Sequence, residues 1–133
     1  MRFFLIFLIF TAACGDDNPP EILQTSLPAE VTDDTVPLVV TAVVTDNLAV
    51  SRVDLLMTPD LRVANEQQRM LEVAEDYYQT SIGPFPYGSH RYLIVQAEDA
   101  DGNRAWYPHP DLSAETDCVV SNDLCWHEFF VEE

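Results

Sequence analysis

From residue 36 onward the sequence is a series of short strand patterns separated by turn residues, and this feature limits the possible folds most strongly. The clearest pattern covers 36–45, where apolar residues from Leu38 to Val44 alternate with a second set of valines and threonines. Alternating, β-branched segments of this kind favour strands with one face in a core. Because no long stretch has helical periodicity, the pattern predicts an all-β fold.

Further strand patterns follow at 50–57, 68–74, 77–82, 90–98, 104–107 and 126–131. The pattern at 50–57 places Val53, Leu55 and Met57 on one face and Arg52 and Asp54 on the other, as in a half-buried strand. The polar stretch 58–67 is predicted as a loop.

Four of these segments resemble the bacterial immunoglobulin-like domains of exported proteins, which have the general shape of fibronectin type III domains. The segments are LVVTAVVTDN at 38–47, VSRVDLLM at 50–57, DYYQTSI at 76–82 and YLIVQAEDADGN at 92–103. The resemblance implies an immunoglobulin-like β-sandwich of about seven antiparallel strands over 21–133. A cysteine-containing insertion near 108–125 lies outside the usual pattern.

The first fourteen residues have the pattern of an export signal. Arg2 precedes an apolar run at 3–10, which is too short to cross a bilayer that needs about 20 residues. The ending Thr11 to Cys14 resembles the lipobox of bacterial lipoproteins, in which the cysteine is acylated and becomes the new N-terminus. The resemblance implies a signal peptide at 1–13, a lipid on Cys14 and a short acidic tether over 14–20.

The cysteine count fits that interpretation. The chain has three cysteines, so a lipid on Cys14 leaves Cys118 and Cys125 as a pair. Disulfides persist outside the cytosol, which favours a bridge between these two residues. A metal site that combines both thiols with His127 and His109 is the alternative.

The charge excludes some partners. The chain has 23 acidic and six basic residues, none of them lysine, and a formal net charge of −17. Nucleic acid is therefore excluded as a partner, since binding to phosphates needs a basic surface. An anionic membrane surface would also repel the chain, so membrane attachment depends on the lipid.

Two turns after predicted strands contain possible calcium ligands. In an immunoglobulin-like sandwich both turns lie at one pole, and their oxygen-bearing side chains suit a hard cation. The same residue types also occupy turns because they bind their own main chain. The candidates are Asp46, Asn47, Asp99, Asp101 and Asn103.

Several aromatic residues lie in or beside predicted loops, where a sugar ring or a protein partner could stack on them. They could equally cover the ends of a sandwich core. The candidates are Phe85, Tyr87, Trp106, Tyr107 and Trp126. No nucleophile motif is present, and Ser89 beside His90 is not a catalytic triad, so we expect no enzyme activity.

The sequence as a whole predicts an envelope lipoprotein with a non-catalytic binding or structural module and no required cofactor. Because Gly15 follows the acylated cysteine in place of an inner-membrane retention aspartate, the outer membrane is the expected location. The alternatives are a calcium-dependent adhesion or carbohydrate-binding module, and an accessory subunit of an envelope complex. The expected partners are the membrane, reached through the lipid, and an envelope protein or glycan.

Overall fold

The computed structural model describes residues 18–28, 30–63, 65–109 and 118–133. Over these residues the protein is all-β, as predicted, and forms no helix. The strands are β1 (Glu21–Ser26), β2 (Glu30–Val31), β3 (Leu38–Thr45), β4 (Val50–Thr58), β5 (Glu66–Arg69), β6 (Leu71–Ala74), β7 (Tyr77–Ile82), β8 (His90–Asp99), β9 (Arg104–Tyr107), β10 (Val119–Ser121) and β11 (Leu124–Val131).

The described residues contain eleven strands where about seven were expected. Strands β2 and β10 have two and three residues, too few for an alternating pattern to be visible in the sequence. Strand β1 is missed because Gln24, Thr25 and Ser26 interrupt its apolar positions. The predicted strand ends also shift slightly, since β3 begins at Leu38 and β11 at Leu124.

The strands form two sheets. The smaller sheet has the order β1-β3-β7-β6 and is antiparallel throughout. The larger sheet has the order β10-β11-β8-β4-β5, with β9 paired to β8 and β2 paired to β11. Of the strand pairs formed by the described residues, β2 with β11 is the parallel one, so the expectation of antiparallel strands holds for all the others.

One buried cluster takes side chains from both sheets. In β3, Val40, Ala42 and Val44 are at most 1 % exposed, while the alternate position Val39 is 52 % exposed. The larger sheet contributes buried residues of β4, β8 and β11, among them Phe129. The two sheets therefore share one apolar core, whose burial is the main stabilising contribution.

The sequence predicted a half-buried strand at β4, and this prediction is wrong, because the strand is buried on both faces. Its inner residue Val53 is 0 % exposed, and its outer residues Asp54 and Leu56 are 1 % and 6 % exposed. The outer face has a second apolar cluster in which Leu56 packs with Ile94 and Trp126. The position of β4 between β5 and β8, under this second cluster, explains the difference.

The predicted strand 68–74 is divided between the two sheets. Strand β5 begins at Glu66, inside the predicted loop, and pairs with β4, whereas β6 pairs with β7. Met70 lies between them, is 2 % exposed, and donates its N–H to the Val53 carbonyl at 2.8 Å. Met70 is the single residue between the two strands, so the sequence pattern does not reveal that the chain changes sheets there.

Candidate functional site

The two turns that contain the predicted calcium ligands lie at the same end of the fold. Glu21 at the start of β1 pairs with Thr45 at the end of β3. Val50 at the start of β4 pairs with Asp99 at the end of β8. The end of the fold where the described chain begins therefore also contains both turns, 46–49 and 99–103, and is named the N-terminal pole.

At the N-terminal pole the Asp99 carboxylate binds its own turn. It is 2 % exposed and accepts hydrogen bonds from the backbone N–H groups of Asp101 and Asn103, both at 2.9 Å. The Asn103 side-chain amide donates a third bond at 3.0 Å. Gly102 has φ +87°, in the left-handed region that favours glycine. The carboxylate oxygens of Asp99, which a calcium ion would need as ligands, are thus used in hydrogen bonds that stabilise the turn after β8.

Asp46 has a similar local role in the other turn. Its Oδ2 accepts hydrogen bonds from the N–H groups of Leu48 and Ala49 at 3.1 and 3.2 Å, and its Oδ1 is buried without a hydrogen-bond partner. In the part of the chain that the structure describes, no three His, Cys, Asp or Glu side chains are grouped so as to hold a metal ion. Calcium binding at this pole stays a prediction.

Two clefts at the N-terminal pole share residues 19–21 as part of their walls. The first, of about 390 Å³, contains Asp46 and Asn47. The second, of about 330 Å³, lies beside β9. It combines one guanidinium group with three rings, from Arg104, Trp106, Tyr107 and His109. Binding sites commonly combine aromatic side chains with a few polar or charged groups. We therefore take the second cleft, and not the first, as the candidate binding site.

The five aromatic residues predicted to contact a partner do not form one patch. Trp106 and Tyr107 line the second cleft, whereas Trp126 is 5 % exposed in the outer apolar cluster. Phe85 and Tyr87 belong to the segment that precedes β8, at the end opposite the N-terminal pole. The structure thus brings together only the pair at 106–107.

The two aromatic residues at the far end differ in exposure. Phe85 packs on Phe129 with ring centroids 5.6 Å apart, and the Arg91 guanidinium lies 5.1 Å from the Phe85 ring. Tyr87 is 44 % exposed, and its hydroxyl donates to the Thr32 carbonyl at 3.4 Å. Phe85 therefore closes the core, and of these two residues only Tyr87 offers an exposed ring to a partner.

A polar cluster on the outer face of the larger sheet was missed by sequence reasoning. Asp54 accepts hydrogen bonds from Arg52 Nε at 2.7 Å, from Arg69 Nε at 3.1 Å and from Gln67 Nε2 at 3.0 Å. Burial raises the pKa of the Asp54 carboxyl, but the three donors outweigh this effect and hold it below its usual value. Asp54 is therefore ionised at neutral pH and fixes the two arginines that bind it.

One sequence signal pointed to this cluster. Asp54 stands within the apolar run VDLLM, where a buried carboxylate needs partners of opposite charge. Arg52, two residues earlier on the same face, was visible from the sequence. Arg69 was not, because its pairing with Asp54 depends on the antiparallel register between β5 and β4.

The two cysteines of the insertion form a disulfide, as predicted. Cys118 and Cys125 have a Cα–Cα distance of 5.4 Å, and the Cys125 side chain is 0 % exposed. The bridge joins the residue before β10 to β11, its neighbour in the sheet. Because both sulfurs are oxidised, they are not the thiolate ligands that the alternative metal site requires. The predicted acylation site, Cys14, and the signal peptide lie outside the described residues.

Comparison with known proteins finds no protein family whose pattern matches this sequence and no curated protein that matches it. Of the described residues, none belongs to a helix of the length and apolar character needed to span a membrane.

Proposed function

We propose that the chain is a bacterial envelope lipoprotein that is anchored through an acylated Cys14 and has a non-catalytic, immunoglobulin-like binding module. In this proposal residues 1–13 are a signal peptide that is removed, 14–20 form a short tether, and 21–133 form the module. The outer membrane is the proposed location, since Gly15 follows the anchor.

The disulfide between Cys118 and Cys125 is the observation that carries the proposal. Stable disulfides are typical of compartments outside the cytosol, so the bridge agrees with an exported chain. It also uses two of the three cysteines. Cys14 then has no intramolecular cysteine partner, which fits a residue that receives lipid.

The fold supports a sandwich as the module. Two mainly antiparallel sheets share a core, and the long central strands β3, β4 and β8 carry most of it. Immunoglobulin-like domains have this two-layer arrangement, although their usual strand number is smaller. Because such folds have many roles, the argument for binding depends on the surface of this particular chain.

The position of β1 gives the module an orientation. Its first residue, Glu21, lies at the N-terminal pole, so a tether over 14–20 holds this pole within about 25 Å of the membrane. The opposite pole, with the exposed Tyr87 and Phe130, then points away from the membrane. The cleft beside β9 is near the membrane, and the outer face of the larger sheet extends between the two poles.

Metabolic labelling with a fatty-acid analogue tests the anchor. We expect the wild-type chain to incorporate the label and Cys14→Ser to incorporate none, because the thiol that accepts the lipid is removed. The matched control is Cys118→Ala/Cys125→Ala, which loses both other cysteines and should still be labelled. A wild-type chain without label, or equal labelling of Cys14→Ser, would contradict the proposal.

A further inference from the structure

The few cations of this acidic chain are concentrated on one face. The chain has six arginines against 23 acidic residues, and three of them, Arg52, Arg69 and Arg104, lie on the outer face of the larger sheet. Of the other arginines in the described residues, Arg62 is 88 % exposed beside Asp60, and Arg91 lies over an aromatic ring. On this face the three guanidinium groups pair with two carboxylates, those of Asp54 and Glu98.

Two of these guanidinium groups are held in place with donors to spare. Arg52 and Arg69 each use Nε to bind one oxygen of the buried Asp54, and their side chains remain 36 % and 53 % exposed. Within the described residues, the terminal nitrogens of neither group make a hydrogen bond. A guanidinium group that is oriented by a buried carboxylate loses little entropy when it binds an oxyanion.

The neighbouring strands add an amide and an aromatic ring to the same face. Asp54 lies opposite Gln96 on β8, which lies opposite Trp106 on β9. The indole Nε1 donates to Gln96 Oε1 at 2.9 Å, which fixes the ring relative to the sheet. From Arg69 on β5 to Trp106 on β9 the row crosses four strands, a distance of about 14 Å.

A second row runs beside the first. Arg52 lies opposite Glu98, which lies opposite Arg104, and the Arg104 Nε is 3.4 Å from Glu98 Oε1. Arg104 and Trp106 also line the 330 Å³ cleft, so the face continues into a concave site. The two rows together are named the guanidinium platform and comprise Arg52, Asp54, Arg69, Gln96, Glu98, Arg104 and Trp106.

We propose that the guanidinium platform binds a short acidic oligosaccharide. Its carboxylate contacts the terminal nitrogens of Arg52 and Arg69, and a sugar ring packs against Trp106 at the edge of the cleft. Arginine binds a carboxylate with two parallel hydrogen bonds, and an indole face suits the C–H face of a sugar. This inference rests on one part of the proposed function, that the domain is a binding module, and does not depend on the lipid anchor.

The charge of the whole chain selects a ligand with few charges. The chain, with a formal net charge of −17, repels a long polyanion, which would have to lie along acidic surface as well. A short ligand experiences mainly the nearby guanidinium groups, because charges beyond about 8 Å are screened at physiological ionic strength.

Calorimetric titration of the full-length chain in detergent tests the proposal. The probes are trimers of galacturonic, mannuronic and glucuronic acid, each with its methyl ester as the neutral match. We expect at least one acid trimer to bind about tenfold more tightly than its ester, since the ester cannot accept the charge-assisted bonds. Higher salt should weaken this binding.

Variants assign the binding to the platform. Arg69→Gln should weaken the acid trimer about tenfold, and Trp106→Ala should weaken the acid and its ester alike. Arg62→Gln is the matched control on an exposed loop and should leave the affinity unchanged. A thermal melt of each variant shows whether it is folded. Arg69→Lys keeps the charge but not the planar set of donors, so its affinity for the acid trimer should lie between those of the wild type and Arg69→Gln.

Several results would overturn the proposal. In the titration, these are no binding of any acid trimer at about 10 mM, equal affinity for an acid and its ester, and full competition by acetate at the same concentration. Among the variants, it is an equal loss of affinity in Arg62→Gln and Arg69→Gln. None of these results bears on fatty-acid labelling of Cys14, so failure of the sugar site and failure of the anchor are distinguishable.

Discussion

Asp54 determines the character of the outer face of the larger sheet. Its carboxylate is 1 % exposed and bound by Arg52, Arg69 and Gln67, so one buried charge organises two partly exposed ones. Breaking such an arrangement by removing the central charge leaves two guanidinium groups beside an apolar cluster without their partner. The residue therefore contributes to stability and also positions the donors of the guanidinium platform.

Asp54→Asn should lower the free energy of unfolding by about 2 kcal/mol at pH 7, because hydrogen bonds to a charged acceptor are replaced by weaker ones. The folded-state pKa of Asp54 lies below its ordinary value of 3.8. The stabilisation by the ionised carboxylate is therefore present above that pH and is lost as the pH falls through the lowered pKa. Urea unfolding at pH 7 and pH 3 should show a difference between variant and wild type that narrows at pH 3.

The matched control for this prediction is Asp60→Asn. Asp60 also pairs with an arginine, but its partner Arg62 is 88 % exposed, so the pair is solvated in the folded protein. We expect a much smaller change in stability, with little dependence on pH. Equal stability of Asp54→Asn and wild type at pH 7 would contradict the account of the polar cluster.

For single residues, the sequence predicts on which face of a strand a side chain lies better than it predicts how deeply that side chain is buried. Alternation correctly placed Val40 and Val44 together on one face of β3, and Asp54 on the face of β4 opposite Val53. It could not show that Asp54 is buried there, because two of the side chains that bind it, Gln67 and Arg69, come from β5 through a non-local pairing. Trp106 was identified as a possible binding residue, but Arg69, at the other end of the same row, reaches this face through a non-local strand pairing.

Among the elements, β10 depends most on a covalent link. Strand β10 has three residues and pairs with β11 alone among the described strands. The disulfide joins Cys118 to Cys125 across a sequence separation of seven. A two-stranded pairing of this length gains little from packing, so the bridge is expected to hold the edge of the larger sheet together.

Replacing both cysteines, as Cys118→Ala/Cys125→Ala, should lower the free energy of unfolding by about 2.5 kcal/mol, the chain-entropy value for a loop of this length. Denaturant unfolding with and without a reductant measures the effect. The wild-type chain should lose the same amount in the reductant, and the variant should be unaffected by it. Equal stability of the wild type with and without reductant would show that the bridge does not contribute.

A strand could be predicted from the sequence where its own residues alternate, but not where it is defined by its pairing with a distant strand. Strands β7 and β9 were predicted with their observed bounds because each is a local alternating segment between turn residues. The change of sheets at Met70 could not be predicted, since both sides of it are extended and only the partner strand differs. Strand β2 is too short for its own pattern and is defined by its pairing with β11.

The whole molecule, as proposed, combines a lipid anchor, a fixed orientation of the domain and a binding face. The N-terminal pole lies where the proposed tether ends, and the guanidinium platform occupies a side of the domain that neither pole covers. The formal net charge of −17 of the chain opposes contact with an anionic membrane, so in our proposal the lipid supplies the attachment. A ligand could then reach the platform while the chain stays anchored.

The central claim is that this chain is exported, acylated at Cys14 and oxidised at its other two cysteines. Intact mass spectrometry of the protein extracted from membranes, before and after reduction, tests it most directly. We expect a chain that begins at Cys14, carries added acyl mass, and gains the mass of two hydrogens on reduction. An unacylated chain that still includes residues 1–13 would contradict the account.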